Sequence, residues 1–305
     1  LSIPIELLDL HHIDRPIFVV MALLYLMLGS VTLVVAKRFN GDRHIQLRAQ
    51  VYSWWRIFPV VSAALLFYPM GIVGLALLIC TLAAIELAQY TPYLSHGFIF
   101  KALLMIVINL TFYYFGMLGN IAILCLVGLI LTLLFIFIKN RHKTTLLWGV
   151  FSLTLLLFLV LVGLINMPLA TKNNADWLLY LFAVTALNDI GQFIFGKTLG
   201  RKKIVPNISP NKTWIGLFGG ICLSMIVSLS LGLYLNLADW QVLVILSLLL
   251  ALAGFFGDIS FSAAKRAMGI KDFSNLIPGH GGILDRVDSL TMTAPILYLL
   301  LLIIY

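Results

Sequence analysis

The run "WQVLVILSLLLALAGFFGDISFSAAKRAMGIKDFSNLIPGHGGILDRVDS", Trp240 to Ser289, changes character near its middle. Up to about Ser262 it is apolar and long enough to cross a bilayer. Beyond that point it carries Lys265, Arg266, Lys271, Asp272, Asp285, Arg286 and Asp288, with Pro278-Gly279-His280-Gly281-Gly282 between them. A helix that becomes charged as soon as it leaves the membrane sets the plan for the rest of the chain. Apolar helices alternate with short polar loops, and chemistry is expected in the loops.

The composition agrees. The 305 residues are 62% hydrophobic and 10% charged, with a mean hydropathy of +1.07. A soluble domain carries about 25% charged residues. The apolar runs are continuous rather than alternating at period 2, so they read as helices and not as barrel strands. Expected spans are 16–36, 51–69, 71–89, 97–117, 119–138, 144–166, 177–196, 214–236, 240–262 and 289–305. Pro69-Met70-Gly71 and Met117-Leu118-Gly119-Asn120 break two longer runs into hairpins. The fold class is therefore an all-α polytopic membrane protein of about ten helices, nine being the alternative count.

Charge orients the spans. With ten of them, one side of the membrane holds all the Lys and Arg residues, 20 in number, except Arg15 and Lys172. That side is expected to be cytoplasmic, which makes this a multi-pass protein of the cytoplasmic (inner) membrane with its site on the cytoplasmic face. The same rule accounts for the net charge of +8, so nucleic acid is not an expected partner. Cys80, Cys125 and Cys222 sit in apolar runs without a CxxC pair and are expected to be small buried hydrophobes. No cleavable leader is expected in the first 15 residues. Residues 1–175 are expected to serve as scaffold and lipid access, and 176–305 as the catalytic region.

Two cytoplasmic segments combine the residue types that phosphate chemistry needs. In the first, Asn188 and Asp189 lie near the cytoplasmic end of an apolar span, with Gln192 and Gly196 on the same face. An ionisable group inside a span is costly and points to a site; the plain alternative is a packing hydrogen bond. Lys197, Arg201, Lys202 and Lys203 are positive-inside residues or attract anionic lipid. Ser209-Pro210-Asn211-Lys212-Thr213 places hydroxyls, backbone N–H groups and a cation at a helix entry, which suits phosphate.

In the second segment, Asp258, Ser262 and Lys265 or Arg266 are spaced to line one helix face. The Gly-rich turn lets backbone N–H groups approach an anion. Asp285 and Asp288, three apart, share a face if that stretch is helical, and with Asp258 they form a hard oxygen set suited to Mg²⁺. Taken singly, an Asp at a helix end is a cap, a Gly pair is a turn, and His280 is a hydrogen-bonded loop residue. Their ordered combination is what points to phosphoryl or nucleotidyl transfer. No Walker A, GxGxxG or HExxH pattern occurs.

Ser262, Lys265-Arg266, Lys271-Asp272, Ser274, Ile277-Pro278, His280-Gly281-Gly282, Asp285-Arg286 and Asp288 resemble the signature of the phosphatidate cytidylyltransferase (CDP-diacylglycerol synthase) family. The segment Ile208 to Thr213 is similar to a second block of that family, and Asp189 stands where the family has an Asp in a membrane helix. The resemblance covers about Asp176 to Tyr305. It departs at Ile215, where the family has Glu, and at Gln192-Phe193, where it often has Ala-Tyr.

The resemblance implies transfer of the cytidylyl group of CTP to phosphatidate, with Mg²⁺ as cofactor and membrane lipids as neighbours. It implies catalytic roles for Lys265, Arg266, Lys271, His280 and Arg286, and substrate binding by Asn188, Ser209, Lys212, Thr213, Ser262, Gly281 and Gly282. Asp258, Asp285, Asp288 and Asp189 would be the metal ligands, the last holding a second cation if one is used. A homodimer is compatible with this reading. Two alternatives stay open: a transferase acting on another lipid phosphate, such as an isoprenoid one, and a transporter or scaffold without activity.

Overall fold

The computed structural model describes residues 15–38, 45–91, 95–114, 143–169, 174–274, 276 and 281–305. Its helices are α1 (Arg15–Arg38), α2 (Ile45–Leu66), α3 (Met70–Ala88), α4 (Ser95–Tyr114), α5 (Lys143–Ile165), α6 (Asn174–Thr198), α7 (Trp214–Tyr234), α8 (Trp240–Ala267), α9 (Leu284–Val287) and α10 (Leu290–Ile304). Among the described residues there is no strand beyond one isolated antiparallel bridge, Lys203 with Thr213. The chain is an all-α polytopic membrane protein.

Every expected span has a helix except 119–138, which lies outside the described residues, as does the Met117–Asn120 break. Seven stretches are long and apolar enough to cross a membrane, the last being Leu284–Ile304 across α9 and α10. The α2 and α4 helices carry only shorter apolar stretches, Val51–Leu66 and Gly97–Asn109. Length and hydropathy therefore support seven crossings among the described residues.

The inside of the bundle is apolar. Trp177 and Tyr180 of α6 and Phe151 and Phe158 of α5 are fully buried, and they join Ile72, Leu87 and Leu297 in one continuous core. Leu23, Leu26 and Leu33 of α1 and Phe100 of α4 are exposed, as expected where the solvent is lipid tail. Cys80 is buried as expected. Cys222 is exposed instead: α7 turns it away from the bundle, and an apolar run does not reveal which of its faces meets protein and which meets lipid. Cys125 lies outside the described residues.

The α6–α7 contact positions the site. A Cβ on Gly191 would come within 3.1 Å of the Gly220 Cα, and one on Gly216 within 2.8 Å of the Gln192 carbonyl oxygen. Only glycine permits so close an approach of two backbones. The connection from α6 to α7 folds back on itself: the Ile204 N–H donates to the Lys212 carbonyl at 3.0 Å, and the Trp214 N–H to the Lys202 carbonyl at 3.2 Å. Lys212 is thereby delivered over the ends of α6 and α8.

Candidate functional site

The site lies where α6, the 199–213 connection, the end of α8 and α9 meet. Asp258 and Lys265 are seven residues apart on α8 and line one face, as the spacing predicts. Lys265 is buried, whereas Arg266 is exposed and donates to the Ile208 carbonyl at 3.3 Å and the Ile270 carbonyl at 3.1 Å. Of the two cations left open by the spacing, Lys265 faces the site, and Arg266 ties the α6–α7 connection to the end of α8. The helix stops at Ala267; Gly269 takes φ +73°, and the Ile270 N–H closes back on the Lys265 carbonyl at 3.0 Å.

Two lysine–carboxylate pairs organise the centre. The first joins Lys212 Nζ to Asp258 Oδ2, and the same ammonium donates to Gln192 Oε1 at 2.8 Å. Burial alone would lower the pKa of Lys212, but the Asp258 and Asp189 carboxylates outweigh it and hold the ammonium above the usual lysine range. The second pair joins Lys265 Nζ to Asp285 Oδ1 at 2.6 Å. The other Asp285 oxygen accepts from the Phe273 N–H at 3.0 Å and the Gly282 N–H at 2.9 Å. Asp285 thus fastens the Gly-rich turn to α8.

Asp285, in the first turn of the short α9, and Asp288, just past its end, divide their work. Asp288 Oδ1 accepts from the Ser289 N–H at 2.9 Å, and the Asp258 and Asp189 carboxylates act on it through their charge. Asp189, Asp258 and Asp288 therefore stand within electrostatic reach of one another at the membrane end of the site. Asn188 is buried beside Asp189, with Nδ2 3.5 Å from the Ala251 carbonyl and no hydrogen-bond partner for Oδ1. Thr213 is buried and its Oγ1 accepts from the Gly216 N–H at 3.1 Å, so it caps α7. Ser209 and Ser262 are half-buried, while Lys271 and Arg286 are exposed. His280 lies outside the described residues.

The donor chemistry can be tested against Mg²⁺. Among the described residues no three His, Cys, Asp or Glu side chains group as a metal site. Mg²⁺, however, takes one or two carboxylates and completes its shell with water and substrate phosphates. Asp258 and Asp288 are hard oxygen donors of that kind. Asp189 adds an oxygen, Oδ1, that is buried without a hydrogen-bond partner. Asp285 is committed elsewhere, since Lys265 and two backbone N–H groups hold both its oxygens.

One contributor was not anticipated. Glu86, buried near the end of α3, accepts from Ser274 Oγ at 2.6 Å and from the N–H groups of Ile283 at 2.7 Å and Leu284 at 3.1 Å. The signal was present in the sequence: Glu86 is an ionisable residue inside the apolar run 71–89. One turn on, the Tyr90 hydroxyl donates to the Phe273 carbonyl at 2.7 Å. Burial, then the Asp285, Glu86 and Asp272 charges, push the Tyr90 phenol above its usual pKa, so it remains a donor.

Comparison with known proteins places the chain in a family. The cytidylyltransferase family matches residues 48–304. The chain is 32% identical over 257 residues to a phosphatidate cytidylyltransferase of Staphylococcus haemolyticus, covering 81% of this chain and 98% of that protein. It is 42% identical over 155 residues to the uncharacterized protein YnbB of Escherichia coli, covering 50% of this chain and 51% of that one. It is 41% identical over 133 residues to a phosphatidate cytidylyltransferase of Staphylococcus aureus, covering 43% and 51%. The chain thus spans about half the length of two of these relatives and nearly all of the third. The family match runs through α8, the Gly-rich turn and both Lys–Asp pairs, and the chain belongs to the cytidylyltransferase family.

Proposed function

We propose that this protein transfers the cytidylyl group of CTP to phosphatidate, giving CDP-diacylglycerol and pyrophosphate, on the cytoplasmic side of a membrane that it crosses about ten times. The observation that carries this reading is the pair of lysines, half-buried Lys212 and buried Lys265, set against carboxylates where α8 leaves the membrane. A water-soluble nucleotide and a membrane lipid can meet there. The names of two relatives support the same substrate.

In the reaction an oxygen of the lipid phosphate attacks the α-phosphorus of CTP. One P–O bond forms, the bond between the α- and β-phosphates breaks, and pyrophosphate leaves. The lipid phosphate is already ionised, so no protein nucleophile is required. The protein's task is to offset repulsion between two anions and to hold them in line. Lys212 and Lys265 supply positive charge beside the phosphates, and Lys271, Arg286, His280 and the Gly281 backbone are the further groups for the cradle, with Gly282 fixing the turn. Asp258 and Asp288, with Asp189, would hold Mg²⁺, which when bound offsets phosphate charge.

Gln192 favours a second reading in one respect. At this departure from the family pattern the residue touches Lys212 directly. A different lipid phosphate, such as an isoprenoid one, would make use of that change. The purified protein, given CTP and Mg²⁺ with a panel of lipid phosphates, separates the readings. Pyrophosphate release that depends on phosphatidate is expected; turnover with isoprenyl phosphate and none with phosphatidate would replace the first reading with the second.

A further inference from the structure

We infer that Glu86, from the half of the chain that otherwise serves as scaffold, is a positioning residue for nucleotide binding: it clamps Ser274 to Ile283 and Leu284 and so fixes the Gly281-Gly282 turn. The inference rests on the reading of that turn as part of the phosphate cradle.

A carboxylate inside an apolar helix is strongly disfavoured unless it is satisfied. Packing alone gives α3 no reason to carry one. Glu86 is 2% exposed, and its three donors all come from one segment, 274–284, almost two hundred residues away in sequence. Oε1 takes Ser274 Oγ and the Ile283 N–H, and Oε2 takes the Leu284 N–H. The two amides stand at the start of α9 and lack intrahelical partners. Ser274 lies on the other side of the turn in sequence, so one carboxylate joins both flanks.

The fit is close. A Cβ on Gly282 would stand 2.5 Å from both Glu86 oxygens. From the other side Asp285 Oδ2 accepts from the Gly282 N–H at 2.9 Å. Gly282 is therefore held between two carboxylates, one from each half of the chain. Glutamine cannot take the place of Glu86, because its NH₂ would face a backbone donor.

The test uses the full-length protein in detergent, with Mg²⁺, CTP and phosphatidate. Glu86→Gln is expected to raise the KM for CTP about tenfold or more, with the KM for phosphatidate unchanged. Ser274→Ala, which removes one of the three bonds, is expected to raise the KM for CTP several-fold with the KM for phosphatidate unchanged, and it carries the test if Glu86→Gln does not fold. Amide exchange in Glu86→Gln is expected to speed up at 282–284 and not in α5 or α6. An unchanged KM for CTP in either folded variant overturns the inference, as does a parallel shift of both KM values or accelerated exchange throughout the bundle. If the wild-type protein turns over no CTP, the reading of the site fails, and the exchange result alone upholds or overturns the clamp.

Discussion

Lys265 Nζ and Asp285 Oδ1 lie 2.6 Å apart and join the last turn of α8 to α9, two elements that the sequence separates by the Gly-rich turn. The same carboxylate holds the Phe273 and Gly282 N–H groups, so one residue fixes a cation and a turn together. Removing one partner of a buried ion pair costs about 3–5 kcal/mol, mostly by leaving the other charge unpaired. Asp285→Asn should therefore lower stability by that order in detergent unfolding. Adding Lys265→Met should cost less than the sum of the two single changes, because no stranded ammonium remains. Strict additivity would show that the pair is not coupled.

Lys212 gives a pH dependence with a definite sign. Its folded-state pKa is raised, so its pair with Asp258 stabilises the fold fully below the unfolded lysine value of about 10.4. Above that value the unfolded chain releases its proton first, and stability falls as pH rises through the folded value. Lys212→Met should be less stable near pH 8 and should lack this alkaline slope, measured as unfolding midpoints from pH 8 to 11. Parallel slopes in the two proteins would remove the pair from the account. Turnover of Lys212→Met should drop by about 10²–10³-fold, the scale for losing one charge stabiliser.

Gly281 takes φ +76°, and a Cβ there would stand 2.7 Å from Asp285 Oδ2. Gly281→Ala should cost about 1–2 kcal/mol from the left-handed backbone alone, and more from displacing Asp285. Denaturant unfolding should show that loss, and initial rates should show a larger effect on CTP than on the lipid. A wild-type rate would mean that the turn does not touch the nucleotide.

The helices were legible because a lipid-facing segment must be apolar along its length, and Pro69 with Gly71 marks where one ends and the next begins. Asp258 and Lys265 were legible as one face because helical spacing is local. Their partners were not. That Lys265 chooses Asp285 while Asp258 chooses Lys212 depends on how α6, α7 and α8 pack, and no local spacing encodes it. The sequence offers Thr213 to phosphate, and only the fold reveals that its buried hydroxyl also accepts from the Gly216 N–H and caps α7. Cys222 failed for the same reason as the ion pairs: an apolar run does not say which face meets protein.

Gln192 is where this chain's departure from the family pattern can be tested. Its Oε1 accepts from Lys212 Nζ at 2.8 Å, and Lys212 keeps Asp258 when that bond is lost. A hydrogen bond to a charged group is worth about 1.5–3 kcal/mol. Gln192→Ala should therefore leave the protein folded, with Lys212 freer to turn within the site. If Gln192 sets which lipid phosphate is accepted, the ratio of turnover on phosphatidate to that on isoprenyl phosphate should shift by about tenfold. Initial rates with both lipids at fixed CTP measure this directly. An equal loss on the two lipids would mean that Gln192 only steadies Lys212, and the choice of lipid would then be sought in the helices that receive the acyl chains.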